Sequence, residues 1–202
     1  MKMFLMRPGY VGTTDKNEAD IFVLTGGADV EPAYYGERPH RETHFSEARD
    51  DYDSQLMCDL PKDMTGKMLV GICRGGQFLN VWHGGRMWQH VDGHAGIRHI
   101  LQDVETGELV KVTSTHHQMM RPGDKAEIVG VAREARWRQT GPKINEEKAE
   151  IWVRASCNGK DEDDIEVLWY PHARALCFQP HPEFDDAKET TDYFFSLIQR
   201  FI

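Results

Sequence analysis

The sequence reads as an α/β protein, a buried sheet with helices on both sides, and three observations predict it. Residues 20–27 (DIFVLTGG) and 67–72 (KMLVGI) are continuous apolar runs, the pattern of strands covered on both faces. Segments of helical spacing alternate with them early in the chain, and further strand-like runs follow. The length of 202 residues, 40% hydrophobic and 28% charged, suits a single domain spanning 1–202 with a sizeable core.

In chain order, residues 1–6 (MKMFLM) form a short first strand, stopped by Pro8 and Gly9. Residues 20–27 are the second strand. Residues 46–60 put Tyr52, Leu56, Met57 and Leu60 at helical spacing, and Pro61 closes that helix. The third strand is 67–72, and the helix after it runs to Gly84 and Gly85. Strand-like stretches then occur at 108–113, 126–131, 149–156, 164–170 and 174–179. The last helix, 185–202, lines up Tyr193, Phe194, Leu197, Ile198 and Phe201 on one face. There is no internal repeat and no low-complexity tract.

Composition excludes several classes. A net charge of −9 argues against nucleic-acid binding, which rests on cations facing phosphate. Arg133, Arg136 and Arg138 cluster, but in a mixed-sign, loop-like segment. No apolar run approaches the length of a membrane span, and no secretory leader is expected. The four cysteines, Cys58, Cys73, Cys157 and Cys177, lack paired spacing, which favours a reducing, cytoplasmic setting.

Gly71-Ile72-Cys73-Arg74-Gly75 has the form G-x-C-x-G between a strand and a helix. With serine, that form is the nucleophile elbow, a strained turn that lifts a side chain above a sheet. The glycines let strand and helix pass close together, and the helix N-terminus favours the thiolate. Cysteine can also be a plain buried hydrophobe, but the spacing on both sides makes Cys73 the candidate nucleophile.

A thiol nucleophile needs a base and a group to orient that base. His181, in CFQPHPEF, follows an apolar strand and is flanked by Pro180 and Pro182. In extended chain Glu183 projects to the same side, so its carboxylate can take one imidazole N–H and aim the other nitrogen at sulfur.

Four blocks in order, LTGGADVEPAYYGE, GICRGGQFLNVWHGG, VTSTHHQ and CFQPHPEF, resemble the class I glutamine amidotransferase-like superfamily. More narrowly, they are similar to its γ-glutamyl-γ-aminobutyrate hydrolase branch, from about Asp20 to the C-terminus. The resemblance implies a flavodoxin-like three-layer sandwich with a mostly parallel central sheet. It implies a Cys73–His181–Glu183 triad that cleaves a γ-glutamyl amide through a thioester. It also implies an oxyanion hole from the N–H groups of Gly27 and Arg74, and substrate contacts from Gln77, Ser114 and Thr115. His116 and His117 would be wall residues, and no cofactor is implied.

This chain departs from the family in three places. Residues 7–19 leave no room for the full helix that usually follows the first strand, so one sheet face is expected to be thin or covered by a partner. Gly76 stands where methionine is more common and is expected to loosen the helix start by about 1 kcal/mol. Thr113 replaces the branch's usual asparagine, which puts a substrate-side contact in question.

Three weaker signals remain. His83, His90, His94 and His99 match no metal signature, so no metal is expected and they read as a polar loop rimming the site. Arg49-Asp50-Asp51 reads as a solvated charge cluster, with a brace for Arg74 as the other reading. Residues 133–148 read as a polar insertion between strands.

The leading function is free-standing hydrolysis of a γ-glutamyl amide, glutamine or a γ-glutamyl amine. The alternative is a glutaminase subunit feeding ammonia to a separate synthase, with that partner or a homodimer burying the thin face. A non-catalytic module would be expected to lack a triad member. For a cysteine peptidase, Gln77 and STHHQ argue against a peptide cleft.

Overall fold

Alternation within the short apolar runs decides the layering. The computed structural model describes residues 1–6, 15–91, 93–133, 156–157, 160–161 and 164–202. The first strands are β1 (Met3–Met6), β2 (Ile21–Leu24) and β3 (Met68–Ile72), with helix α1 (Glu47–Cys58) between the last two. Helix α2 (Arg74–Trp82) follows β3 directly, and then come β4 (Arg86–Trp88), β5 (Ile97–Asp103), β6 (Leu109–Ser114), β7 (Met119–Arg121) and β8 (Glu127–Arg133). Two short strands, β9 (Ser156–Cys157) and β10 (Lys160–Asp161), precede β11 (Ile165–Tyr170), β12 (Ala175–Phe178) and helix α3 (Lys188–Phe201).

Among the described residues, eight strands make one sheet in the order β1-β2-β3-β12-β11-β8-β5-β6. The strands around the elbow, β1, β2, β3 and β12, run parallel. Strands β11, β8, β5 and β6 extend the sheet by antiparallel pairing. Ile21, Val23, Met68, Val70, Leu176 and Phe178 pack with Tyr193, Phe194, Leu197 and Ile198 of α3. Phe22, Leu24, Leu69 and Cys177 point the other way, against Met57 of α1 and Phe78 and Leu79 of α2. These are the three layers expected of a flavodoxin-like α/β fold.

Two segments correct the sequence reading. The stretch from His83 to His99, read as a polar loop, is not only a loop, because β4 pairs with β7 and β5 enters the main sheet. The inward positions of β5 are His99, Leu101 and Asp103, so two of the three residues it buries are polar. Asp103 is fully buried and accepts from Tyr193 Oη at 2.8 Å, while Arg200 Nη2 lies 2.9 Å away. A strand that buries paired polar groups gives no apolar alternation to read. The second correction is the Arg49-Asp50-Asp51 cluster. Asp50 is fully buried, Arg49 is only slightly exposed, and only Asp51 faces solvent.

Residues 7–14, 134–148 and 149–155 lie outside the described residues. They carry most of the segment expected to lack a helix, most of the polar insertion and most of one expected strand.

Candidate active site

The elbow has the geometry its glycines require. Cys73 sits at φ 51°, a left-handed conformation rare for a residue with a side chain. A Cβ at Gly71 would lie 2.3 Å from the Gly75 carbonyl carbon, and one at Gly75 would lie 2.2 Å from the Leu24 carbonyl oxygen. Neither position tolerates a side chain. Gly76 is explained the same way, since its Cβ would approach the Phe178 backbone nitrogen to 2.9 Å. The expected looseness is offset by close packing of α2 on β12.

The Cys73 N–H donates to the Phe178 carbonyl at 2.8 Å, which ties the elbow to the strand that delivers His181. His181 Nδ1 lies 2.7 Å from Glu183 Oε1. The imidazole also interacts with the Cys73 thiol. Burial opposes protonation of His181, but bonds to Cys73 and Glu183 outweigh it and push its pKa up to about 10. Burial likewise opposes ionisation of Glu183, but the His181 bond holds its carboxyl below the ordinary range. The ring stacks on Phe184, with centroids 4.7 Å apart. The structure thus brings Cys73, His181 and Glu183 together.

Thr113, which stands where the branch usually has asparagine, bonds the backbone of the histidine. The His181 N–H donates to Thr113 Oγ1 at 2.8 Å, and that hydroxyl lies 3.1 Å from the His181 carbonyl. One side chain therefore clamps both backbone polar groups of the histidine. Thr113→Val should lower kcat by about 10- to 10²-fold with little change in KM, and Thr113→Ser should restore it. Steady-state kinetics of the three proteins checks this, and a Val variant with wild-type kcat would deny Thr113 a positioning role.

Cys73 and His181 open on a cavity of about 390 Å³, also lined by Gly27, Arg74, Gln77 and Thr115. Gly27 and Arg74 thus line the same cavity as the nucleophile. The first N–H groups of α2, which start at Arg74, have no partner within the helix. Gln77 Nε2 donates to Gln179 Oε1 at 3.3 Å, and Gln179 Nε2 lies 3.7 Å from Cys73 Sγ. Ser114 is placed otherwise: it is fully buried and its hydroxyl donates to the His94 carbonyl, away from the cavity. His116 and His117 line the wall as expected.

Sequence reasoning missed Gln179, Asp29 and Asp53. Gln179 lies within the CFQPHPEF block. Asp29 lines the cavity and bonds His117 Nε2 at 3.1 Å, and this bond raises the histidine's pKa above its ordinary value. Asp53 is fully buried and accepts from Arg49 Nε at 3.0 Å and from Arg74 Nη1. Arg74 also binds Asp50, so its side chain points down into the protein while its backbone faces the cavity. Arg49 Nη2 donates to the Thr25 carbonyl at 3.0 Å, which fixes the loop carrying Gly26 and Gly27. Arg49 and Asp50 therefore brace Arg74 and this loop.

His94 and His99 correct a further expectation. They are 2% and 4% exposed and pack around Glu166, whereas His90 is at the surface. They do not rim the site as a solvated loop.

The model of the family described as Peptidase C26 matches residues 15–183, which include Cys73, His181 and Glu183. The chain belongs to the Peptidase C26 family. A candidate glutamine amidotransferase of Mycobacterium tuberculosis, Rv2859c, is 42% identical to it over 80 residues, 38% of this chain and 25% of that protein. The carbamoyl phosphate synthase small chain of Thermotoga maritima is 28% identical over 145 residues, 66% of this chain and 36% of that one. The chain therefore matches about a quarter to a third of the length of these two relatives. A glutamine amidotransferase structure from Thermotoga maritima shares the fold at TM-score 0.55 and 16% identity, covering 95% of this chain and 67% of that one. This Peptidase C26 member is class I glutamine amidotransferase-like. Among its described residues no helix is long and apolar enough to cross a membrane.

Proposed function

We propose that the chain hydrolyses a γ-glutamyl amide, glutamine or a γ-glutamyl amine, with Cys73 as nucleophile. The observation that carries this reading is a cysteine on a strained elbow, in contact with a histidine that Glu183 orients, at the mouth of one cavity. The Cys73 thiolate attacks the γ-carbonyl carbon, and the C–N bond breaks as His181 gives its proton to the leaving ammonia or amine. Water then attacks the thioester, His181 takes its proton, and glutamate leaves with the thiolate restored. The N–H groups of Gly27 and Arg74 hold the oxyanion in both steps, each donor worth about 3–4 kcal/mol. Gln77 and Thr115 hold the glutamyl head group, and Ser114 contributes through its backbone only. A single domain in a reducing, cytoplasmic setting suits a nucleophile that must stay a free thiol.

Glutamate release from glutamine, γ-glutamyl-γ-aminobutyrate and other γ-glutamyl amines, by the chain alone, tests the reading. Turnover of an amine substrate in preference to glutamine places the chain in the γ-glutamyl-γ-aminobutyrate hydrolase branch. The second reading, a glutaminase that serves a synthase, is favoured by its likeness to a carbamoyl phosphate synthase small chain. It predicts near-silence on every substrate while Cys73 still reacts with a glutamine-like electrophile. An inert Cys73 with no turnover would refute both.

Glu183→Gln gives a pH test. The carboxylate raises the pKa of His181, so its removal lets the imidazolium lose its proton at lower pH. The alkaline limb of kcat/KM should move to lower pH, with a loss of about 10²-fold at neutral pH. An unmoved limb would remove Glu183 from the triad.

A further inference from the structure

Behind the wall that carries His116 and His117, three imidazoles converge on one carboxylate. His94 Nδ1, His99 Nε2 and His116 Nε2 lie 3.2, 3.1 and 3.4 Å from Glu166 Oε1. Glu166 is fully buried and the three histidines are at most 4% exposed. The inward ligand atoms of His94, His99 and Glu166 all lie within 4.8 Å of one another.

The outer nitrogens fix which inner atoms carry hydrogen. His116 Nδ1 lies 2.8 Å from the Gln118 carbonyl, which can only accept, so Nδ1 holds the hydrogen and a neutral ring turns its Nε2 lone pair inward. His94 Nε2 lies 3.2 Å from Asp164 Oδ2, so in a neutral ring the Nδ1 lone pair turns inward by the same logic. Both lone pairs therefore face a carboxylate oxygen that is itself an acceptor. Among the described residues, none of the three inward nitrogens and neither Glu166 oxygen makes a hydrogen bond of good geometry. Acceptors crowded together in a dry interior need a proton or a metal ion between them.

A carbonyl or carboxylate on the far nitrogen is also what orients a metal-bound histidine. The nitrogen-to-oxygen spacings of 3.2 and 3.1 Å from His94 and His99 to Glu166 are close to the edge of about 3.3 Å expected for a tetrahedron of zinc–nitrogen and zinc–oxygen bonds. Imidazole suits zinc among the available divalent ions.

We propose that His94, His99 and Glu166 form a buried site for a divalent zinc-type ion. The site joins the loop before β5, β5 itself and β11. Its ligands are buried, so the ion is structural, and Glu166, 3.4 Å from His116 Nε2, ties it to the wall of the cavity. This site does not depend on the hydrolase reading.

The test uses the full chain carrying Cys73→Ala, which removes the other thiol–imidazole pair able to hold zinc. After chelator treatment and desalting, the protein is equilibrated with zinc chloride and its metal content and melting temperature are measured. One zinc per chain is expected, with a rise in Tm of about 5–10 °C at 100-fold excess over Kd. Cobalt in place of zinc should give the visible bands of a tetrahedral ion without a sulfur charge-transfer band. His99→Gln and Glu166→Gln should each abolish the zinc stoichiometry and the Tm rise. Failure of the chain to retain zinc, with an unchanged Tm, overturns the proposal and leaves a cluster held by shared protons. An octahedral or thiolate cobalt spectrum also overturns it, and this reading needs no cluster variant to fold.

Discussion

Cys73→Ala is expected to lower glutamate release by at least about 10⁴-fold, with the fold intact. Removing the nucleophile of a concerted triad typically leaves only the contribution of binding and oxyanion donors. Alanine at φ 51° keeps the strain of the elbow but removes no packing partner larger than one sulfur. The melting temperature should therefore stay close to the parent's while turnover disappears. Mass spectrometry supplies an independent arm, because a γ-glutamyl adduct should accumulate on Cys73 of the parent and be absent from the variant. Residual turnover within tenfold of the parent would remove Cys73 from the chemistry.

Asp53→Asn should produce the largest loss of stability. Asp53 and Asp50 are both fully buried and both bind Arg74, itself 1% exposed. Burial draws the Arg74 guanidinium down to about 10 against the pull of Asp50, and burial also keeps the Asp50 carboxyl above its ordinary range despite Arg74. Both shifts report charges held at considerable desolvation cost, tolerable only while paired. Removing the Asp53 charge leaves Arg74 half-neutralised and frees Arg49 from its 3.0 Å contact. The expected cost is about 3–5 kcal/mol, a fall in Tm of roughly 10 °C. Asp51→Asn, at an exposed position of the same helix, should stay within about 0.5 kcal/mol. Chemical denaturation of the three proteins gives the comparison. A change below 1 kcal/mol for Asp53→Asn would mean that the network does not brace the elbow.

The nucleophile and its base were legible because their chemistry depends on near neighbours in sequence. Gly71 and Gly75 flank Cys73 at fixed spacing, and Glu183 follows His181 by two residues. The buried runs that became β2, β3 and β12 were legible because both of their faces are apolar. Partners supplied from far along the chain were not. Glu166 meets His94 and His99 only through the pairing of β5, β8 and β11. Nothing in the sequence marks Asp53, because Arg74 meets it only in the fold. The histidine stretch looked like a solvated loop because the sequence cannot say that a carboxylate 67 residues beyond His99 lies 3.1 Å from its ring. Thr113 reads in sequence only as a replacement of the branch's usual asparagine, because its reach to the His181 backbone depends on how β6 ends beside the segment after β12.

The hydrogen bond from Cys73 to Phe178 spans more than half the chain, as does the contact between Gln179 and the thiol. β12 slots between β3 and β11, so the base reaches the nucleophile only when one of the last strands has inserted into the sheet interior. A growing or partly folded chain thus carries a thiol with neither base nor cavity, an inert group in a crowded cell. Reactivity appears only once these distant contacts close, and closures of this kind are slow. Alkylation of Cys73 by a glutamine-like electrophile would consequently count natively folded molecules, and its rate of onset during refolding would time the insertion of β12.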